Sequence, residues 1–219
     1  MASLFEAPRF VAVEGPLRVG KSSLASILAE ETQARLILEP ESNPFLDRFY
    51  QAQPGAAFAT QMWFLKERHA QMSQIRDFTR PVVADYLFEK DKLFAYLNLT
   101  DAELDLYGHY YQMLREEVPS PDLVIYLQAT PGVLKQRLRR KAMPGERDIS
   151  DLYIEKVVEA YEHFFFHYSA SDLLVVNTSE IDFVHNNRDL QALLRRLSEP
   201  VQGMQYFLPL RGWATGRES

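Results

Sequence analysis

Short unbroken apolar runs recur along the chain, separated by longer stretches in which apolar residues return every three or four positions. The runs are Phe10-Val11-Ala12-Val13, Leu36-Ile37-Leu38, Pro81-Val82-Val83-Ala84, Leu123-Val124-Ile125-Tyr126-Leu127 and Leu173-Leu174-Val175-Val176. An unbroken run, unlike an alternating one, suits a strand covered on both faces, as in a parallel sheet between helices. The intervening stretches predict helices over about 21–33, 57–77, 89–97, 100–117, 131–141, 151–168 and 187–198. Asp151 and Asn186 stand where caps are expected, and Thr100 precedes Glu103 by the three residues of a capping box. With no repeat, linker or low-complexity segment, the pattern predicts one α/β domain over residues 1–198, its five strands flanked by helices. The tail, 199–219, carries Met204, Tyr206, Phe207, Leu208 and Leu210. It either packs back on the domain or stays a partly ordered terminus.

Length and charge narrow the class. At 219 residues the chain has room for one substantial core and is short for two. A formal net charge of −6 speaks against a broad nucleic-acid-binding face. Zero cysteines remove disulfides and thiolate metal sites and fit a reducing compartment. The opening MASLFEAPRF does not read as a signal peptide, and no apolar stretch approaches the ~20 residues that span a bilayer. The expectation is a soluble, cytoplasmic protein with neither nucleic acid nor membrane as partner. Its five histidines show no metal-ligand spacing.

The strongest chemical signal follows the first strand. Gly15-Pro16-Leu17-Arg18-Val19-Gly20-Lys21-Ser22 fits G-x-x-x-x-G-K-S, placed between a predicted strand and a predicted helix as that motif requires. Gly15 and Gly20 let the backbone turn so that successive N–H groups face phosphate oxygens, and the helix adds its positive N-terminal end. Residues 15–22 with Ser23 are therefore the expected ATP cradle. Lys21 is expected on the β- and γ-phosphates and the Ser22 hydroxyl on Mg²⁺. By itself such a cradle fits a GTPase, a motor ATPase or a kinase. A basic run, Lys135 to Lys141, ends at Pro144-Gly145. Arg137 and Lys141 share a helix face, which predicts a short lid over about 137–149 that closes cations on the γ-phosphate.

Further residues point to an acceptor. Glu39-Pro40 follows the second strand, and Gln61 and Arg68 lie seven apart, on one side of a helix, in F-A-T-Q-M-W-F-L-K-E-R. Asp85 ends the third strand and Asp91 comes six residues later. With these, residues from about 9 to 178 resemble the deoxynucleoside kinase family, in particular its bacterial deoxyadenosine, deoxyguanosine and deoxycytidine kinases. The resemblance implies a three-layer P-loop kinase fold, a homodimer joined through helices near 57–77 and 100–117, and a role in nucleotide salvage. Tyr107, Tyr110, Tyr111 and Trp63 supply aromatic content compatible with that interface. It implies that Glu39 is the general base for the nucleoside 5′-hydroxyl, with Glu41 as a rival. Gln61 pairs with the base, Arg68 lies at its edge beside Asp91, and Tyr50 and Glu146 hold the 3′-hydroxyl. Asp85 reaches Mg²⁺ through water. Retaining Arg68 and Asp91 favours deoxyadenosine, deoxyguanosine or deoxycytidine over thymidine.

One position departs from the family. Where an arginine usually follows the acidic residue after the third strand, this chain has Tyr86. Three explanations stand open: Tyr86 bonds Glu39, another cation such as Arg18 or Lys90 substitutes, or the chain is catalytically weak. A nucleoside monophosphate kinase and a nucleotide-binding regulatory protein with little turnover are the alternative readings.

Overall fold

The computed structural model describes residues 10–141 and 149–208, with only the backbone of Lys141. Alternation within one strand generates the layers. In β1 (Phe10–Glu14), every residue is buried. Phe10 and Ala12 enter one core with residues of α3 (Ala56–Met72), α4 (Lys90–Asn98), α5 (Asp101–Arg115) and α7 (Asp151–Phe166), while Val11 and Val13 enter another against α1 (Lys21–Thr32), α6 (Pro131–Lys141) and α8 (Asn187–Leu197). A strand with both faces in a core carries no polar alternation, which is why these runs were legible.

Around β1 the described strands form one parallel sheet in the order β2-β3-β1-β4-β5-β6, with β2 at Arg35–Ile37, β3 at Val82–Ala84, β4 at Leu123–Gln128 and β5 at Asp172–Asn177. The sixth strand, β6 (Met204–Phe207), corrects the expected five: it pairs with β5 from Leu173↔Met204 to Val176↔Phe207. It lies at the sheet's edge with Met204 and Tyr206 exposed, so it lacks the buried run that marks β1, β3, β4 and β5. Beyond the expected helices there is a five-residue α2 (Leu46–Tyr50), and the stretch expected as one helix over 57–77 becomes α3 followed by a 3₁₀ turn at Ser73–Asp77.

The caps agree with the local chemistry, with one shift. Glu103 accepts the Thr100 backbone N–H at 3.0 Å, and the Asn186 side chain accepts that of Arg188 at 3.0 Å. At α7 the cap is Ser150, whose hydroxyl accepts the Tyr153 N–H at 3.1 Å, and Asp151 is the first helical residue. Among the described residues no helix is long and apolar enough to cross a membrane.

Because all strands run the same way, their C-terminal ends open on one edge. Glu14, Glu39 and Asp85 come from the ends of β1, β2 and β3, the three neighbours at the centre and one side of the sheet.

Candidate active site

The cradle turns where only glycine fits. Gly15 has φ +151°, and a Cβ there would stand 2.4 Å from the Leu127 carbonyl oxygen; at Gly20, φ +113°, it would stand 2.8 Å from the Phe183 ring. The Lys21 ammonium folds into the loop and donates to Gly15 O at 2.8 Å and Pro16 O at 3.2 Å. Burial and the charge of Lys90 lower its pKa, against the pull of Glu14, Glu39 and Asp85. Ser22, the second residue of α1, donates its hydroxyl to Asp85 Oδ2 at 2.5 Å. The other oxygen of Asp85 accepts the backbone N–H of Glu39 at 2.6 Å. One buried carboxylate therefore links the end of the phosphate loop to the residue expected to activate the acceptor.

The residues expected at the acceptor converge from three elements. Arg68 of α3 is 3% exposed and forks between two carboxylates, NH2 on Glu39 Oε1 and NH1 on Asp91 Oδ2. Asp91, in the first turn of α4 and wholly buried, also accepts Gln61 Nε2 at 2.5 Å and the Tyr107 hydroxyl at 2.8 Å. Gln61 Nε2 further reaches Asp91 O at 2.9 Å, so the amide nitrogen expected at a base edge is turned to α4. Lys90 completes the cluster with Nζ 2.8 Å from Glu39 Oε2. Burial would raise the Glu39 pKa, yet Lys90, Arg68 and Lys21 outweigh it and hold the carboxyl well below the usual carboxylate range. Glu41, the rival carboxylate, is exposed.

The Tyr86 question has a geometric answer. Tyr86 is fully buried, burial pushes its hydroxyl's pKa up, and that hydroxyl donates to Gln71 Oε1 at 2.6 Å rather than to Glu39. Lys90 is the cation at the second oxygen of Glu39.

Other expected residues lie at varying distances from this cluster. Tyr50 ends α2, half-buried with its ring beside Phe49. Arg137 binds the back of the phosphate loop: its guanidinium donates to Val19 O at 3.1 Å and to Thr178 O at 2.7 Å. The side chain of Lys141, Pro144-Gly145 and Glu146 lie outside the described residues. Of the four aromatics offered for an interface, Tyr107 and Tyr111 are core residues, Trp63 is half-buried edge-on to Phe64, and Tyr110 is exposed. Sequence reasoning missed Glu14, whose wholly buried carboxylate accepts the Gly15 N–H at 2.8 Å, the Leu87 N–H at 2.7 Å and the Tyr161 hydroxyl at 2.9 Å. Its signal was a lone carboxylate closing an otherwise apolar strand, directly before the first loop glycine.

Comparison with known proteins bears on this arrangement. Residues 11–202 match the family model described as deoxynucleoside kinase. The chain is 31% identical over 201 residues to a deoxyguanosine kinase of Bacillus subtilis, covering 88% of this chain and 97% of that protein. It is 27% identical over 207 residues to a deoxyadenosine kinase of Lactobacillus acidophilus, covering 88% and 96%. A deoxyadenosine kinase from M. mycoides, solved with the products dCMP and dCDP, superposes with a TM-score of 0.76 at 22% identity, over 86% of this chain and 98% of that one, a likeness of fold.

Proposed function

This chain belongs to the deoxynucleoside kinase family, and on that premise we propose that it transfers the γ-phosphoryl group of ATP to the 5′-hydroxyl of deoxyadenosine, deoxyguanosine or deoxycytidine in nucleotide salvage. The observation that carries the reading is the Asp85 bridge: one carboxylate holds both Ser22 of the cradle and the backbone of Glu39. Donor and acceptor groups are thereby set side by side, as an in-line transfer needs.

In this reading the 5′-oxygen forms its bond to the γ-phosphorus as the bond to the ADP oxygen breaks, and Glu39 accepts the hydroxyl proton. A carboxylate with a depressed pKa is a weak base, so the proton moves late. That suits a loose transition state, in which the nucleophile carries little charge. Lys21 neutralises phosphate oxygens, and Arg137 braces the loop through Val19 O. Ser22 and Asp85 are oxygen donors next to the cradle, the set a hard cation prefers, and they would hold Mg²⁺, which when bound supplies charge neutralisation. Gln61, Arg68 and Asp91 form the base site, Tyr50 and Glu146 the 3′-hydroxyl contacts, and Lys141 joins Arg137 on the lid of a single domain. An assay with ATP and each deoxynucleoside, each monophosphate and a blank tests this. Turnover on the three named nucleosides is expected. Turnover confined to monophosphates overturns the reading, and ATP binding without turnover points to a regulatory protein.

We further propose a cytoplasmic homodimer. Leu106, Tyr110 and Met113 lie along one face of α5 and are 47%, 47% and 67% exposed, an apolar stripe suited to a second copy. Sedimentation at tens of micromolar is expected to give a dimer that Tyr110→Glu with Met113→Glu converts to monomer. A monomeric parent protein rejects it.

A further inference from the structure

We infer that Lys90, held by the buried carboxylate of Glu14, is a positioning residue that fixes Glu39 against the phosphate cradle. The inference rests on reading Glu39 as the acceptor's base. Lys90 opens α4, and its side chain is 3% exposed. A buried ammonium persists only where carboxylates or other partners replace water. Two carboxylates do so here: Glu39 Oε2 at 2.8 Å and Glu14 Oε1 at 3.8 Å, with the Phe94 ring centroid at 5.9 Å. The first contact is a charge-assisted hydrogen bond; the second is an ion pair beyond hydrogen-bonding reach.

Glu14 makes this lysine more than a stray core charge. Its three accepted hydrogen bonds tie together Gly15 at the start of the phosphate loop, Leu87 in the β3–α4 connection and Tyr161 of α7. That same connection carries Asp85 at one end and Lys90 at the other. The route from cradle to base is therefore doubled. One branch runs Ser22–Asp85–Glu39 backbone, and the other runs Gly15–Glu14–Lys90–Glu39 carboxylate. Arg68 takes the remaining Glu39 oxygen from the side of Asp91. With each oxygen assigned to a different cation on a different helix, the carboxylate plane cannot turn without breaking a charged contact. Each oxygen still keeps a lone pair for an incoming hydroxyl.

The test separates positioning from mere core stability. In the full chain, Lys90→Met is expected to lower kcat about 100-fold with the KM for ATP within about threefold, and Lys90→Arg to recover part of the loss. In a Glu39→Gln background the same Lys90→Met change is expected to cost less than about threefold, because the group it positions no longer takes the proton. Equal losses in both backgrounds overturn the inference. A second measurement needs no turnover. Lys90→Met and Glu14→Gln each lower the thermal midpoint, and the pair is expected to lower it by less than their sum, since neither change then leaves an unpaired charge. Additive midpoints remove the Glu14 link whichever acceptor the enzyme uses, so this arm fails independently of the proposed reaction.

Discussion

Glu39→Gln is expected to lower turnover by about 10²–10⁴-fold while ATP affinity changes by no more than about threefold. Glutamine keeps the shape of the side chain and can still accept a hydrogen bond, but it cannot take up a proton at neutral pH. The substitution also removes one charge from the pairs with Arg68 and Lys90, so a lower thermal midpoint accompanies the kinetic loss. The split between kcat and ATP binding separates the two effects, because the cradle's own hydrogen bonds through Lys21 and Ser22 do not involve the Glu39 side chain. Glu41→Gln, changing the neighbouring exposed carboxylate, is the control and is expected to leave kcat within about twofold. Full turnover in Glu39→Gln, or a larger loss in Glu41→Gln, rejects Glu39 as the base.

How much of this was readable from the chain depends on whether the information was periodic or tertiary. Strands β1, β3, β4 and β5 were legible because a two-sided environment leaves its mark on nearly every residue. The edge strand β2, with only Ile37 buried, was legible because its short run stays apolar at Leu36-Ile37-Leu38. Met204-Gln205-Tyr206-Phe207 carries no such mark, because an edge strand is covered unevenly. The cradle was legible because its chemistry is local, set by two glycines, a lysine and a serine within eight positions. Gln61 and Arg68 could be placed on one helix side by spacing alone, but their meeting with Asp91 joins α3 to α4 across 23 to 30 residues, which no period encodes. Lys90 stood beside Arg18 as a substitute for the missing arginine because sequence gives composition without distance. Tyr107 shows the reverse error. Grouped with Tyr110 as interface material, it is 1% exposed, and its hydroxyl is bound to Asp91.

The second large effect is expected at Asp91. Its sequence position also fits the plainer reading of a first-turn carboxylate that favours the helix dipole, which would be worth only ~0.3–1 kcal/mol. The structure puts it in a different class: 0% exposed and accepting from Arg68, Gln61 and Tyr107. Asp91→Asn has the same volume but removes the charge, and it turns an NH₂ group towards neighbours that are themselves donors. Arg68, 3% exposed, keeps Glu39 as its one remaining carboxylate among those it now binds. Breaking a buried pair by removing one partner costs about 3–5 kcal/mol, so the thermal midpoint of a domain this size is expected to fall on the order of 10 °C. Tyr107→Phe, which deletes a single hydroxyl from the same carboxylate, is expected to cost about 1–3 kcal/mol. Kinetics supply the functional half. Because Asp91 fixes both Arg68 and Gln61, kcat/KM for the three proposed nucleosides is expected to drop about 100-fold together, with ATP binding retained. An unchanged midpoint with unchanged nucleoside preference would return Asp91 to the role of a helix-end charge and leave Arg68 and Gln61 without a reason to stand where they do.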